Sequence, residues 1–263
     1  MTASHRQKST KTLIGHTPRH VRLAEVVLLL ACAVLSVGFV RVRDSAVTVA
    51  PDFSDLDPAD RKAAFFAYLR PLVREVNAEA ARDRDFVSQV AAEYADGTDL
   101  SSYERVRLAA LAARYEVEFD PGAPGSAIET LRRRTGTVPA SLILIQAAVE
   151  SGWGTSRFAR EGNNLFGQRC YTNGCGIRPR RQSADSRWGV AQFDSIEESL
   201  RSYLLNLNTH PEYREFRHRR QEMRLADEPL SGITLAESLN AYSERGPEYV
   251  AEIQAMIRQN DLE

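Results

Sequence analysis

The sequence predicts a mainly α-helical protein in which a transmembrane helix and a helical accessory region precede a second, larger helical domain. Three observations carry that expectation. No residue from Val26 to Val40 is charged. Residues 59–118 place apolar side chains at helical spacing among many Arg and Glu residues. Leu142–Val149 is apolar except for Gln146 and runs directly into Glu150, Ser151 and Gly152.

The chain has 263 residues, room for one domain of roughly 130 to 150 residues plus accessory segments. With 34 basic and 35 acidic residues the net charge is -1, which gives no support for a nucleic-acid partner. The three cysteines are too few for a disulfide scaffold. Cys170 and Cys175 stand close enough for one local bridge if that half of the chain meets an oxidising compartment.

Residues 23–40 form the expected membrane anchor, interrupted only by Glu25 near its edge. That span approaches the roughly 20 residues a membrane helix needs. Residues 1–22 contain Arg6, Lys8, Lys11, Arg19 and Arg22 and no acid, while Arg41 and Arg43 follow the apolar run. Positive-inside reasoning makes 1–22 a cytoplasmic tail and exports the remainder. A cleaved signal peptide, a lipoprotein cysteine at Cys32 and a buried core helix compete with this reading. A clear A-x-A site is missing, uncharged residues continue from Cys32 to Val40, and the tail ahead is wholly basic.

Residues 41–58 read as a linker that ends in Asp57 and Pro58, an N-cap followed by a first-turn proline. The next helix carries Phe65, Phe66, Leu69 and Val73, and Pro71 predicts a kink or break within it. Two more amphipathic helices are expected over 80–96 and 101–117, separated by Asp96-Gly97-Thr98. Residues 59–118 thus form an accessory region with no chemistry-bearing constellation and no identifiable protein partner. A hinge at Asp120–Gly125 leads to a helix near 126–134.

Residues 137–154 hold the most informative stretch. A helix that is apolar nearly all round belongs at the centre of its domain, and Gly152 supplies its stop. At the end of such a helix, apolar surroundings and the negative end of the dipole both disfavour a charged Glu150. A raised pKa suits a general acid; a buried salt bridge or a cap explains the same residue without chemistry. Trp153 offers an apolar wall or a sugar platform. Asn163, Asn164 and Phe166 place amides beside an aromatic ring, which suits carbohydrate but also describes an ordinary packed turn.

The runs Glu150-Ser151-Gly152-Trp153-Gly154, Ser156-Arg157-Phe158-Ala159 and Asn163-Asn164-Leu165-Phe166-Gly167 resemble the glucosaminidase domains of glycoside hydrolase family 73 over roughly 125–260. The segment from Cys170 to Gly176 is most similar to the Bax-like branch of Gram-negative bacteria. That resemblance implies a lysozyme-like helical fold with a small β-containing lobe over the cleft. It implies hydrolysis of peptidoglycan glycan strands after N-acetylglucosamine, with no cofactor or metal. The export reading then becomes a single-pass inner-membrane protein with its catalytic domain in the periplasm. Glu150 falls on the family's proton donor, and Tyr242 on its tyrosine near the domain's end. Phe193, Ser199, Tyr203, Leu207 and His210 resemble the stretch between the lobe and the closing helices. Trp153, Asn164, Phe166 and Trp188 are the expected substrate-binding residues, and the Cys170–Cys175 bridge would brace the lobe.

Glycoside hydrolysis usually employs two carboxyl groups. Asp185 and Asp194 are the candidates for the second, with Glu197 and Glu198 behind them. Arg181 and Arg187 offer Asp185 ordinary surface partners in place of catalysis, and Asp194 fits a helix cap. The substrate's own acetamido group, or water held by Tyr242, would serve instead of a carboxylate. Arg178, Arg180, Arg181 and Arg187 make the lobe basic, which suits either the carboxylates of peptidoglycan or a solvated loop. His210 and His218 are badly spaced for a one-face metal pair.

Overall fold

Asp57 starts the longest helix, α1 (Pro58–Ala95). Its carboxylate accepts the amides of Ala59 and Asp60, each at 3.0 Å, and Pro58 occupies the first turn. The structure, a computed structural model, describes residues 51–263 apart from 173, 181, 184 and 185. The break expected at Pro71 does not occur; α1 runs through it as one 38-residue helix. Phe65 and Leu69 before the proline, and Val73 and Val76 after it, are buried in one core. That shared burial offsets the backbone hydrogen bond a proline removes.

A capping box formed by Ser101 and Glu104 opens α2 (Ser102–Arg114), and α3 (Gly125–Arg134) follows. Next come α4 (Ala140–Ser151) and α5 (Arg157–Gly162). A short hairpin of β1 (Arg169–Cys170) and β2 (Gly189–Val190) interrupts the helices. The chain closes through α6 (Ile196–Thr209), α7 (Arg214–Leu225), α8 (Gly232–Ala236) and α9 (Pro247–Gln259).

Helix α4 sits at the centre. Every residue from Ser141 to Ala148 is buried, and α1, α8 and α9 pack around it. Residues 59–118, read from the sequence as an accessory region, contribute to the main core: Phe65 and Leu69 share one cluster with Leu142 and Ile145. The far half of α1 builds a second cluster, in which Val87 and Val90 meet Leu108 and Leu131. Arg201 on α6 grips Glu79 on α1 with two hydrogen bonds of 2.9 and 2.8 Å. Val47–Glu263 is accordingly one compact unit.

The expected β-containing lobe is smaller than a lobe: two antiparallel strands that do not close, pairing Arg169 with Val190 and Cys170 with Gly189. A disulfide joins Cys170 to Cys175, their Cα atoms 6.1 Å apart. Glycine is required at 176, where φ is +62° and a Cβ would strike the Val190 carbonyl.

The membrane expectation is corrected. Among the described residues no helix is long and apolar enough to cross a membrane. The longest, α1, carries charges from Asp60 to Glu93 and buries only one face. The anchor expected at 23–40 lies outside the described residues. The transmembrane part of the fold class, the membrane as a partner, and the single-pass inner-membrane placement with its periplasmic domain rested on that anchor, and no described helix supports them.

Candidate active site

Glu150 occupies the last turn of α4, where Gly152 ends the helix in the left-handed conformation (φ 58°). Its carboxyl opens onto a cleft of about 540 Å³ and is accessible from that side. Protein surrounds it elsewhere, and this desolvation is the largest influence on its acidity, raising its pKa. A hydrogen bond from Tyr249 and the Arg245 charge pull the other way, and Glu252 adds to the rise.

One turn earlier on the same face stands Gln146, fully buried. The Tyr203 hydroxyl donates to Gln146 Oε1. Gln146 Nε2 donates to the Tyr249 hydroxyl oxygen at 2.9 Å, and Tyr249 donates to Glu150 Oε1 at 2.8 Å. The chain has a direction: an ionised carboxylate only accepts, so Tyr249 donates its hydrogen bond to Glu150 and accepts one from the amide. Among the described residues nothing bonds Glu150 Oε2, which is therefore the oxygen free to carry a proton into the cleft. Replacing Tyr249 by Phe removes a bond that lowers the Glu150 pKa. A general acid works only while protonated, so the alkaline limb of kcat/KM is expected to move to higher pH. The conjugate base also loses a charge-assisted donor, which is expected to lower kcat roughly tenfold. A pH-rate profile checks both effects, and an unmoved limb would refute the contact's role.

The cleft is lined by Glu150, by Phe166 and Gln168 from the loop after α5, and by Arg169 and Tyr171 of the hairpin. Ser202, Tyr203, Asn206 and His210 of α6 and Tyr242 of the closing segment complete it. Phe166 stacks on Tyr203 with centroids 4.0 Å apart, and Tyr242 stacks on Tyr249 at 5.5 Å. Burial among these rings lifts the Tyr242 phenol well above its ordinary range, keeping it a neutral donor.

The residues singled out from sequence divide sharply. Glu150, Tyr242 and Phe166 meet in the cleft. Trp153 does not line it; its ring lies edge-on to Phe65 and Phe66, at 5.8 and 5.3 Å. Asn164 is buried and spent internally, donating to the carbonyls of Gln168 and Ala191 and accepting the amides of Phe166 and Gln168. It shapes the loop that presents Phe166. Trp188 lies under the guanidinium of Arg169. Asp194 is not the α6 cap; Ser195 is, its hydroxyl accepting the Glu198 amide. Asp185 lies outside the described residues, and among the described cleft residues Glu150 is the only carboxylate. No group of described residues is arranged to hold a metal ion. Sequence reasoning assigned no role to Gln146, Tyr249 or Arg169. The signal for Gln146 was its being the single polar break in an apolar helix, four residues from Glu150.

A desolvated carboxyl held by one oxygen stands at the wall of an aromatic and amide-lined cleft on a mainly helical scaffold, an arrangement that suits acid-assisted cleavage of a glycoside. Residues 125–262 match the family model described as glucosaminidase, mannosyl-glycoprotein endo-beta-N-acetylglucosaminidase, and the chain belongs to that family, the glucosaminidase domains of glycoside hydrolase family 73. It is similar to Protein bax of Escherichia coli (strain K12), with 35% identity over 200 residues that cover 76% of this chain and 70% of that protein. No solved structure matches the chain.

Proposed function

We propose that the chain is an endo-β-N-acetylglucosaminidase that hydrolyses the glycan strands of peptidoglycan, with Glu150 as general acid. The observation that supports this most is the carboxyl of Glu150, desolvated at the cleft and gripped at Oε1 by Tyr249. Glu150 Oε2 gives its proton to the glycosidic oxygen as the bond to the anomeric carbon breaks, and the leaving sugar departs as an alcohol. The acetamido oxygen of the same N-acetylglucosamine attacks the anomeric carbon from the other side. Water then opens that intermediate, returning its proton to the Glu150 carboxylate. This route needs no second carboxylate and agrees with a cleft in which Glu150 is the only one among the described residues. The Tyr242 hydroxyl orients the acetamido group or the water.

Product analysis tests this. Full-length protein incubated with purified sacculi is expected to release fragments whose reducing end is N-acetylglucosamine, seen as its alditol after borohydride reduction. An 1,6-anhydro-N-acetylmuramic acid end would mean transglycosylation and overturn hydrolysis. Binding to sacculi with no saccharide released would make the protein a silent scaffold and overturn the enzyme.

A further inference from the structure

The sequence that forms the hairpin is strongly basic. Between Asn163 and Phe193 stand five arginines, 169, 178, 180, 181 and 187, and one acid, Asp185, in a chain of net charge -1. Of those described, Arg169 is the one that lines the cleft with Glu150. Its guanidinium carbon lies 4.2 Å from the centroid of Trp188. Among the described residues no carboxylate pairs with it. A guanidinium laid on an indole keeps its N–H edge free, and the ring restricts the rotamers that a free arginine would explore. The backbone beneath is fixed too, since Arg169 pairs with Val190 and its neighbour Cys170 is bonded to Cys175. The result is a preorganised cationic fork on the wall of the cleft, matched to a planar carboxylate.

We propose that Arg169, held over Trp188, binds a carboxylate carried by the glycan in the cleft. The protein thereby takes acidic glycan in preference to neutral N-acetylglucosamine polymer. This rests on the glycan-cleaving reading above but concerns binding alone. In peptidoglycan the carboxylate comes from the stem peptide, or from the lactyl ether once the peptide is removed. Trp188 is then a positioning residue, acting on the substrate through Arg169 rather than by stacking on sugar.

Binding is measured on full-length Glu150→Gln protein, so that turnover does not intervene, with Arg169 intact or replaced. The supports are native sacculi, sacculi whose carboxylates are capped as methylamides, and chitin. Retention on native sacculi is expected to exceed that on capped sacculi about tenfold, the worth of one charge-assisted fork. Arg169→Gln is expected to erase that difference, and Arg169→Lys to restore part of it. Peptide-stripped strands added as competitor separate the two sources: competition points to the lactyl carboxylate, and its failure to the peptide. Equal weakening on native and capped sacculi would show a structural role and overturn the proposal, as would no weakening or no initial preference for native sacculi. Wild-type protein that releases no saccharide defeats the hydrolase reading and leaves the binding result to decide on Arg169 by itself.

Discussion

Glu150→Gln is expected to lower saccharide release by about 10²- to 10⁴-fold, the usual worth of a positioned general acid. The amide has the same shape, and its carbonyl oxygen still accepts from the Tyr249 hydroxyl. The buried chain through Gln146 to Tyr203 therefore stays satisfied, and thermal unfolding is expected to match the wild type. What the amide lacks is a proton to give. In the wild type, desolvation raises the Glu150 pKa, so the acid stays protonated into a range where an ordinary glutamate is ionised. Activity is present below that raised pKa and is lost as pH rises through it. The residual rate of Glu150→Gln is expected to lack this alkaline limb altogether. Release at the wild-type rate, or a variant rate that keeps the limb, would remove Glu150 from the chemistry. The comparison with Tyr249→Phe is informative because the two variants act on different links: one removes the proton, the other shifts when it is available.

How much of this site the sequence displayed depends on the range over which each residue acts. Glu150 was visible because its environment is built locally, by the apolar run before it and the glycine after it. Gln146 was visible as an exception, but its function is to connect Tyr203 with Tyr249, 57 and 103 residues further on. Nothing in the periodicity of α4 encodes that pairing. Trp153 and Asn164 have residue types that suit carbohydrate, and both are consumed inside the protein. The same chemistry that recognises a sugar, a broad apolar ring or a two-sided amide, also serves packing and loop closure, and composition does not separate the two. Pro71 misled in the opposite direction. A local rule against proline in helices yields where both flanking turns are buried in one core.

Replacing Arg220 by Met is expected to cost about 3 kcal/mol of stability, a value set by the carbonyl oxygens it leaves without a donor. Arg217, Arg220 and Arg224 share one face of α7. In the fold Arg217 and Arg220 are buried, and burial depresses the pKa of all three, that of Arg217 and Arg224 to about 10. Among the described residues none of the three is paired with a carboxylate within salt-bridge distance. The partners of Arg217 and Arg220 are backbone carbonyls at or near helix ends. Arg217 donates to the carbonyls of Leu207 and His210, closing the C-terminus of α6. Arg220 donates to Arg133 at the end of α3, and to Gly136 and Thr137 in the segment entering α4. A cation at a helix C-terminus is favoured by the dipole and by the unsatisfied carbonyls there. Gly136 retains a second donor, Asn208 at 3.0 Å, so the loss falls mainly on Arg133 and Thr137. Each stranded carbonyl costs roughly 1 to 3 kcal/mol, and relief from burying a charge returns part of the total. Arg220→Lys is expected to recover less than half, since an ammonium does not span three acceptors as a fork does. Urea unfolding monitored by circular dichroism measures both variants, and a cost below about 1 kcal/mol for Arg220→Met would refute the capping role. Because this guanidinium fixes the entry to α4, the same variant is expected to loosen Glu150 at the other end of that helix, so that kcat falls under conditions where the protein is still folded.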